Sequence, residues 1–430
     1  MKQSERLLSL NCPMKLFMTL LCLSSFAVQA QQPTRYILKA DRLFDGEQIH
    51  TGWSVAVTGN RIDSVGVINE IPAGVKLISL PGTTLMPGMI EGHSHLFLHP
   101  YNETPWDEQV LNESRTERNA RAVNHALATL MAGFTTVRDL GTEGAMYDDA
   151  ALKKVIEKGI VPGPRMIVAT RAIVAKGSYG PKSSNPETDY PQGAAEVGNA
   201  AEMVSEVRTQ ISKGADLIKI YADYRRGKNG EVTPTFTTDE IAAAVKVAAL
   251  SGRQVVVHAG SAEGMRNAIL AGVSTIEHGD DGTAEIFALM KQKNIALCPT
   301  ISAGEAVAGY RAAAKGIVID SVRIRKKIKS FQLALTAGVT ICMGGDVGVF
   351  THGDNTREMI AMVRLGMLPI NVLRAATSVN ANVFGYADQI GSLKKGMYAD
   401  VISVAGDPSL NINAVKQIRF VMKDGTVYKQ

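Results

Sequence analysis

The stretch Thr84-Leu85-Met86-Pro87-Gly88-Met89-Ile90-Glu91-Gly92-His93-Ser94-His95 decides how this chain is read. An apolar, β-rich run ends in two histidines one residue apart, and alternate residues of a strand share a face, so both imidazoles can reach one ion. Alone, a His-x-His pair is weak evidence, since such pairs also occur on ordinary surfaces. The arrangement recurs, however. Leu217-Ile218-Lys219-Ile220, Val255-Val256-Val257-His258, Ser274-Thr275-Ile276-Glu277-His278 and Val339–Asp346 each end or carry an apolar run on a chemistry-bearing side chain. In a (β/α)8 barrel such strand ends gather at one mouth. Four imidazoles, a lysine and an aspartate meeting there make the pattern of a two-metal hydrolase site.

Outward from this stretch, strands alternate with amphipathic or Ala-rich segments from Met86 on, which predicts repeated βα units and a parallel sheet. Eight units are expected, with strand ends near His95, Asp139, Thr170, Tyr221, His258, His278, Thr300 and Asp346. The intervening helices are predicted over Ser114–Ala132, Asp148–Lys158, Ala195–Lys213, Thr238–Ser251, Ala262–Ala271, Thr283–Lys293, Ser321–Ala337 and Thr356–Leu365. Tyr36–Leu85 instead shows short strand-like pieces between turns such as Thr58-Gly59-Asn60, and short strands return in Asp400–Val404 and Phe420–Tyr428. The expected architecture is an α/β (β/α)8 TIM barrel over 86–385 and a small β-sandwich domain built from 31–85 and 386–430. The 430 residues leave room for both, because a barrel takes about 250.

A hydrophobic content of 45% with 20% charged residues is that of a globular protein. The net charge of +5 is no nucleic-acid signature. Residues 1–30 read as an export signal: basic residues through Lys15, an apolar stretch Leu16–Val28, then Ala27-Val28-Gln29-Ala30. Cleavage near Ala30 and a periplasmic or secreted protein without a stable membrane anchor are expected, starting from Met1 or Met14. Cys22 lacks the small residues that usually precede a lipidated cysteine. Only Cys298 and Cys342 would remain, both in apolar strand-like runs, which excludes a disulfide framework and favours two buried thiols.

Lys219, in Asp216-Leu217-Ile218-Lys219-Ile220-Tyr221, would carry a heavy desolvation cost inside a barrel. It reads as a Schiff-base lysine, as a lysine carboxylated by CO2 whose two oxygens bridge two divalent metals, or as a lysine snorkelling to solvent. The surrounding histidines favour the carbamate. Asp346, after Gly344-Gly345, could ligate a metal and carry a proton, or cap a helix. His99, Tyr179, Tyr221 and His352 are candidate substrate contacts, Tyr221 as a donor to a substrate carbonyl or carboxylate. Lys176, Arg225 and Arg226 could pair a substrate carboxylate, and Arg138-Asp139 is expected to form an internal ion pair.

Met86–His95, Ile218-Lys219-Ile220-Tyr221, Ala271-Gly272-Val273-Ser274-Thr275-Ile276-Glu277-His278-Gly279 and Gly344-Gly345-Asp346 resemble the motifs of the amidohydrolase superfamily. The resemblance runs from about Tyr36 to Gln430 and lies with the imidazolonepropionase-like and prolidase-like subgroup. It implies His93, His95 and Asp346 on one metal, His258 and His278 on the other, and carboxylated Lys219 with a hydroxide bridging them, zinc being the expected ion. His99-Pro100-Tyr101-Asn102-Glu103 and Arg138–Gly144 are similar to exported metallo-dipeptidases of carboxypeptidase type. Such relatives cleave dipeptides or N-acyl amino acids with a free carboxylate, and some hydrolyse ochratoxin A. Ala175-Lys176-Gly177-Ser178-Tyr179-Gly180 lacks the histidine that prolidase-like members often carry in the third-strand loop, which puts proline specificity in doubt. Cyclic amides, lactones and phosphotriesters are rival substrates, and a catalytically dead metal- or peptide-binding protein is the rival of another class. A homo-oligomer is a family habit, without a readable interface here.

Overall fold

The deciding run is two strands rather than one. In the computed structural model, which describes residues 34–316 and 321–430, Lys76–Pro87 belongs to a small sheet and Met89–Ser94 opens the parallel set. Gly88 is the corner between them. A Cβ there would lie 2.0 Å from Thr135 Oγ1, so only glycine lets the neighbouring strand pass so close.

The parallel strands form two arcs. One holds Met89–Ser94, Phe134–Asp139 and Arg165–Val168. The other runs in the order Ala195–Val197, Ile173–Ala175, Leu217–Tyr221, Gln254–Ala259, Thr275–His278 and Ala296–Cys298. Asp216 N donates to Val168 O at 2.7 Å on one side. On the other, isolated bridges pair Leu297 with Ile341 and Ser94 with Val347. The expected continuous barrel ladder is thus interrupted, and its eighth strand is reduced to bridges. Gly344, Gly345 and Asp346 at φ +61° cannot keep a regular pleat.

The helices sit where periodicity predicted them, and their starts have local causes. Ser114 caps Arg115–Met131, Ser261 caps Ala262–Ala271, and Thr237 with Glu240 makes a capping box before Thr238–Ala249. Gly272 at φ +86° ends Ala262–Ala271 in the left-handed conformation that glycine adopts without penalty. Departures remain: Ala195–Val197 is a strand before the helix Ala200–Ser212, and helices at Trp106–Asn112, Ile301–Lys315 and Pro369–Arg374 lie outside the expected set, the second of them following the seventh strand.

Segments 35–87 and 401–429 meet in one eight-stranded sheet, which does not establish the expected sandwich. Arg35–Phe44 lies parallel to Lys76–Pro87, and Val401–Ala405 flanks the latter antiparallel. Leu38, Leu43, Val55, Leu85, Val401 and Phe420 form its own core, each fully buried side chain stabilising by about 1.5–3 kcal/mol. Cys298 and Cys342 are buried and free, as expected. The leader, Cys22 and the alternative starts lie outside the described residues. Among the described residues no helix is long and apolar enough to cross a membrane.

Candidate metal centre

His93 and His95 end the first parallel strand, and three of the expected ligands come together there. One ligand atom each from His93, His278 and Asp346 lies within 4.8 Å of the others. Asp346 Oδ1 is 3.2 Å from His95 Nε2 and 3.5 Å from His93 Nε2. His258 joins through its ring, 4.3 Å from His278, and His278 is 5.0 Å from His93, centroid to centroid. Lys219 is fully buried with Nζ 3.5 Å from His93 Nε2.

Three of the imidazoles are oriented from behind. His93 Nδ1 meets Glu277 Oε2 at 2.9 Å, His95 Nδ1 meets the Gly141 carbonyl at 2.8 Å, and His278 Nδ1 meets Thr300 Oγ1 at 2.7 Å. With Nδ1 engaged, each ring turns Nε2 toward the common centre, as metal ligands require. Glu277 is itself held by Arg138, whose Nη2 is 2.8 Å from Oε1 and whose guanidinium lies 4.0 Å over the Phe384 ring. This corrects the expected Arg138–Asp139 pair. Asp139 instead accepts the N–H groups of Leu96 and Gly141, fixing the loop beside His95.

The electrostatics divide the imidazoles. Burial and then the Lys219 charge hold His93 down at about 4, and burial takes His258 to about 3. Such rings are neutral and able to donate lone pairs. Against burial, hydrogen bonding and charge from Asp346 raise His95 to about 9. Against burial, His93 and His95 hold the Asp346 carboxyl well below the usual range. Burial depresses the Lys219 ammonium. Among the described residues, no carboxylate reaches it at ion-pair distance.

The backbone is strained around this mouth. Glu143, Thr170, His278, Thr300 and Asp346 all have φ between +49° and +74°, a region that costs a non-glycine residue about 1–3 kcal/mol. All five follow or end parallel strands, so the rest of the fold supports the cost where ligands must be aimed.

The four expected substrate contacts divide. Tyr221 stacks on His258 at 4.5 Å, and Tyr179 lies 4.9 Å from Tyr221, both beside the centre. His99 is buried with both ring nitrogens engaged, by Glu103 and Glu113, leaving nothing for a substrate. His352 is buried, stacked on His125 at 4.2 Å, with Nε2 on the Leu98 carbonyl. Lys176, Arg225 and Arg226 are exposed.

The sequence reading missed Glu277, Asp223 and Glu143. Glu277 was visible as an acid inside an apolar strand. Asp223 alternates with Lys219 and Tyr221, and it accepts the N–H groups of Gly260 and Ser261 just past His258. Glu143, in an irregular turn, carried no periodic signal.

The donor set suits divalent metal: imidazole nitrogens turned inward, one carboxylate, and a buried lysine without a counter-charge. Comparison places this arrangement in a class. Residues 84–429 match the amidohydrolase family, and the chain belongs to it, in the prolidase-like subgroup. It is 30% identical over 422 residues to ochratoxinase from Aspergillus niger, covering 90% of this chain and 84% of that one. Among solved structures it is similar to a Xaa-Pro dipeptidase with methionine bound in the active site, at 32% identity and a TM-score of 0.83 over 92% of this chain and 100% of that one. A prolidase complexed with N-methylphosphonate-L-proline gives 25% identity and a TM-score of 0.81, with 92% and 100% covered. The protein is a hydrolytic enzyme of amide-cleaving kin.

Proposed function

We propose that the protein is a binuclear metal-dependent amidohydrolase that cleaves dipeptides or N-acyl amino acids with a free C-terminal carboxylate, ochratoxin A among the candidates. The observation that carries the reading is the inward-facing set of His93, His95, His278 and Asp346 with His258 and Lys219 alongside. His93, His95 and Asp346 would hold one ion and His258 and His278 the other, zinc being the first candidate. Carboxylation of Lys219 would replace a buried, unpaired ammonium by a bridging anion, which removes the desolvation problem. When bound, the metal pair supplies Lewis acidity and brings the pKa of water toward ~7.

The chain's own groups do the rest. Asp346 touches two imidazoles through Oδ1, which leaves Oδ2 to take the proton of attacking water and pass it to the leaving nitrogen. Glu277, Gly141 and Thr300 keep the imidazoles from turning while charge moves. Tyr179 and Tyr221 wall the substrate side. Export after cleavage near Ala30, a catalytic unit over 86–385 and a β unit from 31–85 and 386–430 belong to the same proposal. The test is zinc-reconstituted protein incubated with a library of dipeptides and N-acyl amino acids, scored for released amine, with Asp346→Asn as control. Release confined to compounds with a free carboxylate supports the reading. Release only from cyclic amides, lactones or phosphotriesters overturns it.

A further inference from the structure

Glu143 is a buried carboxylate beside the metal centre, in the turn whose Gly141 carbonyl holds His95. Its three side-chain donors are neutral: Tyr179 Oη at 2.6 Å, Trp106 Nε1 at 3.0 Å and Tyr221 Oη at 3.4 Å. The nearby guanidinium of Arg118 is spent on the backbone carbonyls of Phe97, Thr142 and Glu143. Among the described residues no cationic side chain reaches the Glu143 carboxylate at ion-pair distance, the Arg118 charge acting on it only through space. A buried carboxylate held by neutral donors alone is costly, and the turn adds φ +49° at the same residue.

The direction of the protons matters. Each phenol has one hydrogen, and Tyr179 commits its hydrogen to Glu143, with Tyr221 pointing the same way. What the hydroxyl oxygens then retain for a guest is lone pairs. Around them the rings of Trp106 and Tyr224 each lie 5.1 Å from Tyr179 in edge-to-face contact, an aromatic surround of the kind that tolerates a cation. Carboxylate, acceptor oxygens and aromatic faces all favour the same guest.

We propose that Glu143, with Tyr179, Tyr221, Trp106 and Tyr224, forms a subsite for a protonated amine carried by the substrate. This rests on the amide-hydrolysis reading above and narrows its substrate class to amides bearing a primary ammonium near the scissile bond. Two matched pairs test it on the zinc-loaded full chain: glycylphenylalanine against N-acetylphenylalanine, and Nα-acetyllysine against Nα-acetylnorleucine. The first pair places the amine on the acyl half, the second on the amino-acid half. The readouts are kcat/KM and, separately, calorimetric binding.

The ammonium-bearing member of one pair is expected to lead by about tenfold to a hundredfold, the range of a charge-assisted contact. Glu143→Gln should collapse that ratio toward one. Tyr179→Phe, which keeps the carboxylate, should shrink it in part, and guards against a Glu143 variant that fails to fold. Hydrolysis with no amine preference in either pair, or a ratio unmoved by Glu143→Gln, overturns the subsite and leaves the amidase reading standing. Amine-selective binding that depends on Glu143, without hydrolysis of any of the four, keeps the subsite and sinks the amidase reading for these compounds.

Discussion

Replacing Glu277 by glutamine tests the support behind His93. The carboxylate is fully buried and joins two partners, His93 Nδ1 at 2.9 Å and Arg138 Nη2 at 2.8 Å. In Glu277→Gln the side chain keeps its shape and loses its charge, so Arg138 becomes a buried cation without a counter-ion. Breaking such a pair by removing one partner costs about 3–5 kcal/mol. With roughly 2.1 cal/mol/K of unfolding entropy per residue, a folded unit of about 400 residues should melt roughly 4–6 °C lower. The imidazole also loses an anionic acceptor, so metal affinity should fall about tenfold to a hundredfold. Calorimetric melting and metal content after dialysis against graded chelator read the two effects separately. Arg138→Met combined with Glu277→Gln removes the stranded cation and should recover most of the melting temperature without restoring metal affinity. A single variant that melts like wild type and keeps its metal would refute the account of this buried pair.

Four further outcomes follow from the geometry. Asp346→Asn should lower kcat/KM by about 10²–10⁴-fold, the usual range for a proton-transfer group, measured by amine release at saturating zinc. Chelator treatment should abolish turnover and zinc should restore it, with far-ultraviolet circular dichroism unchanged, because the core does not depend on the ions. Gly344→Ala would put a Cβ 2.5 Å from Cys298 Sγ and 2.7 Å from His93 N, so it should destabilise by about 1–3 kcal/mol. Adding Cys298→Ala should not rescue it in thermal melts, because the backbone clash remains. Burial, with the Asp139 charge behind it, pushes the Asp149 carboxyl well above its usual range. The folded chain therefore keeps a proton that the unfolded chain sheds near pH 4. Stability from this group is full below that pH and is lost as pH rises toward the folded value. Asp149→Asn should flatten that slope in a pH series of melting temperatures.

The clustered histidines were legible because each ends an apolar run, and strand ends are where a parallel sheet exposes side chains. Helix Ala262–Ala271 was legible from its cap, its periodicity and Gly272. Ile301–Lys315 was not. Its alanines and two glycines blur the apolar stripe, and its start, Thr300 at φ +49°, forms no side-chain cap. The corner at Gly88 was not legible, because hydropathy runs unbroken from Thr84 to Ile90 while sterics turn the chain at the glycine. Glu143 escaped because its meaning lies in Trp106, Tyr179 and Tyr221, which reach it from three separate parts of the chain.

The small sheet fixes the order in which this molecule can mature. Lys76–Pro87 runs straight into the strand that bears His93, and one of its flanks stays open until Val401–Ala405 arrives. Ile418–Lys423 and Thr426–Lys429 then extend the same sheet. All of the chain between Pro87 and Val401 must be made before the strand leading into His93 gains its second neighbour, so this sheet cannot close on its N-terminal strands alone. Loss of Ile418–Lys423 and Thr426–Lys429 would strip the sheet's outer strands, and truncations that remove them should act by undoing assembly rather than by touching chemistry.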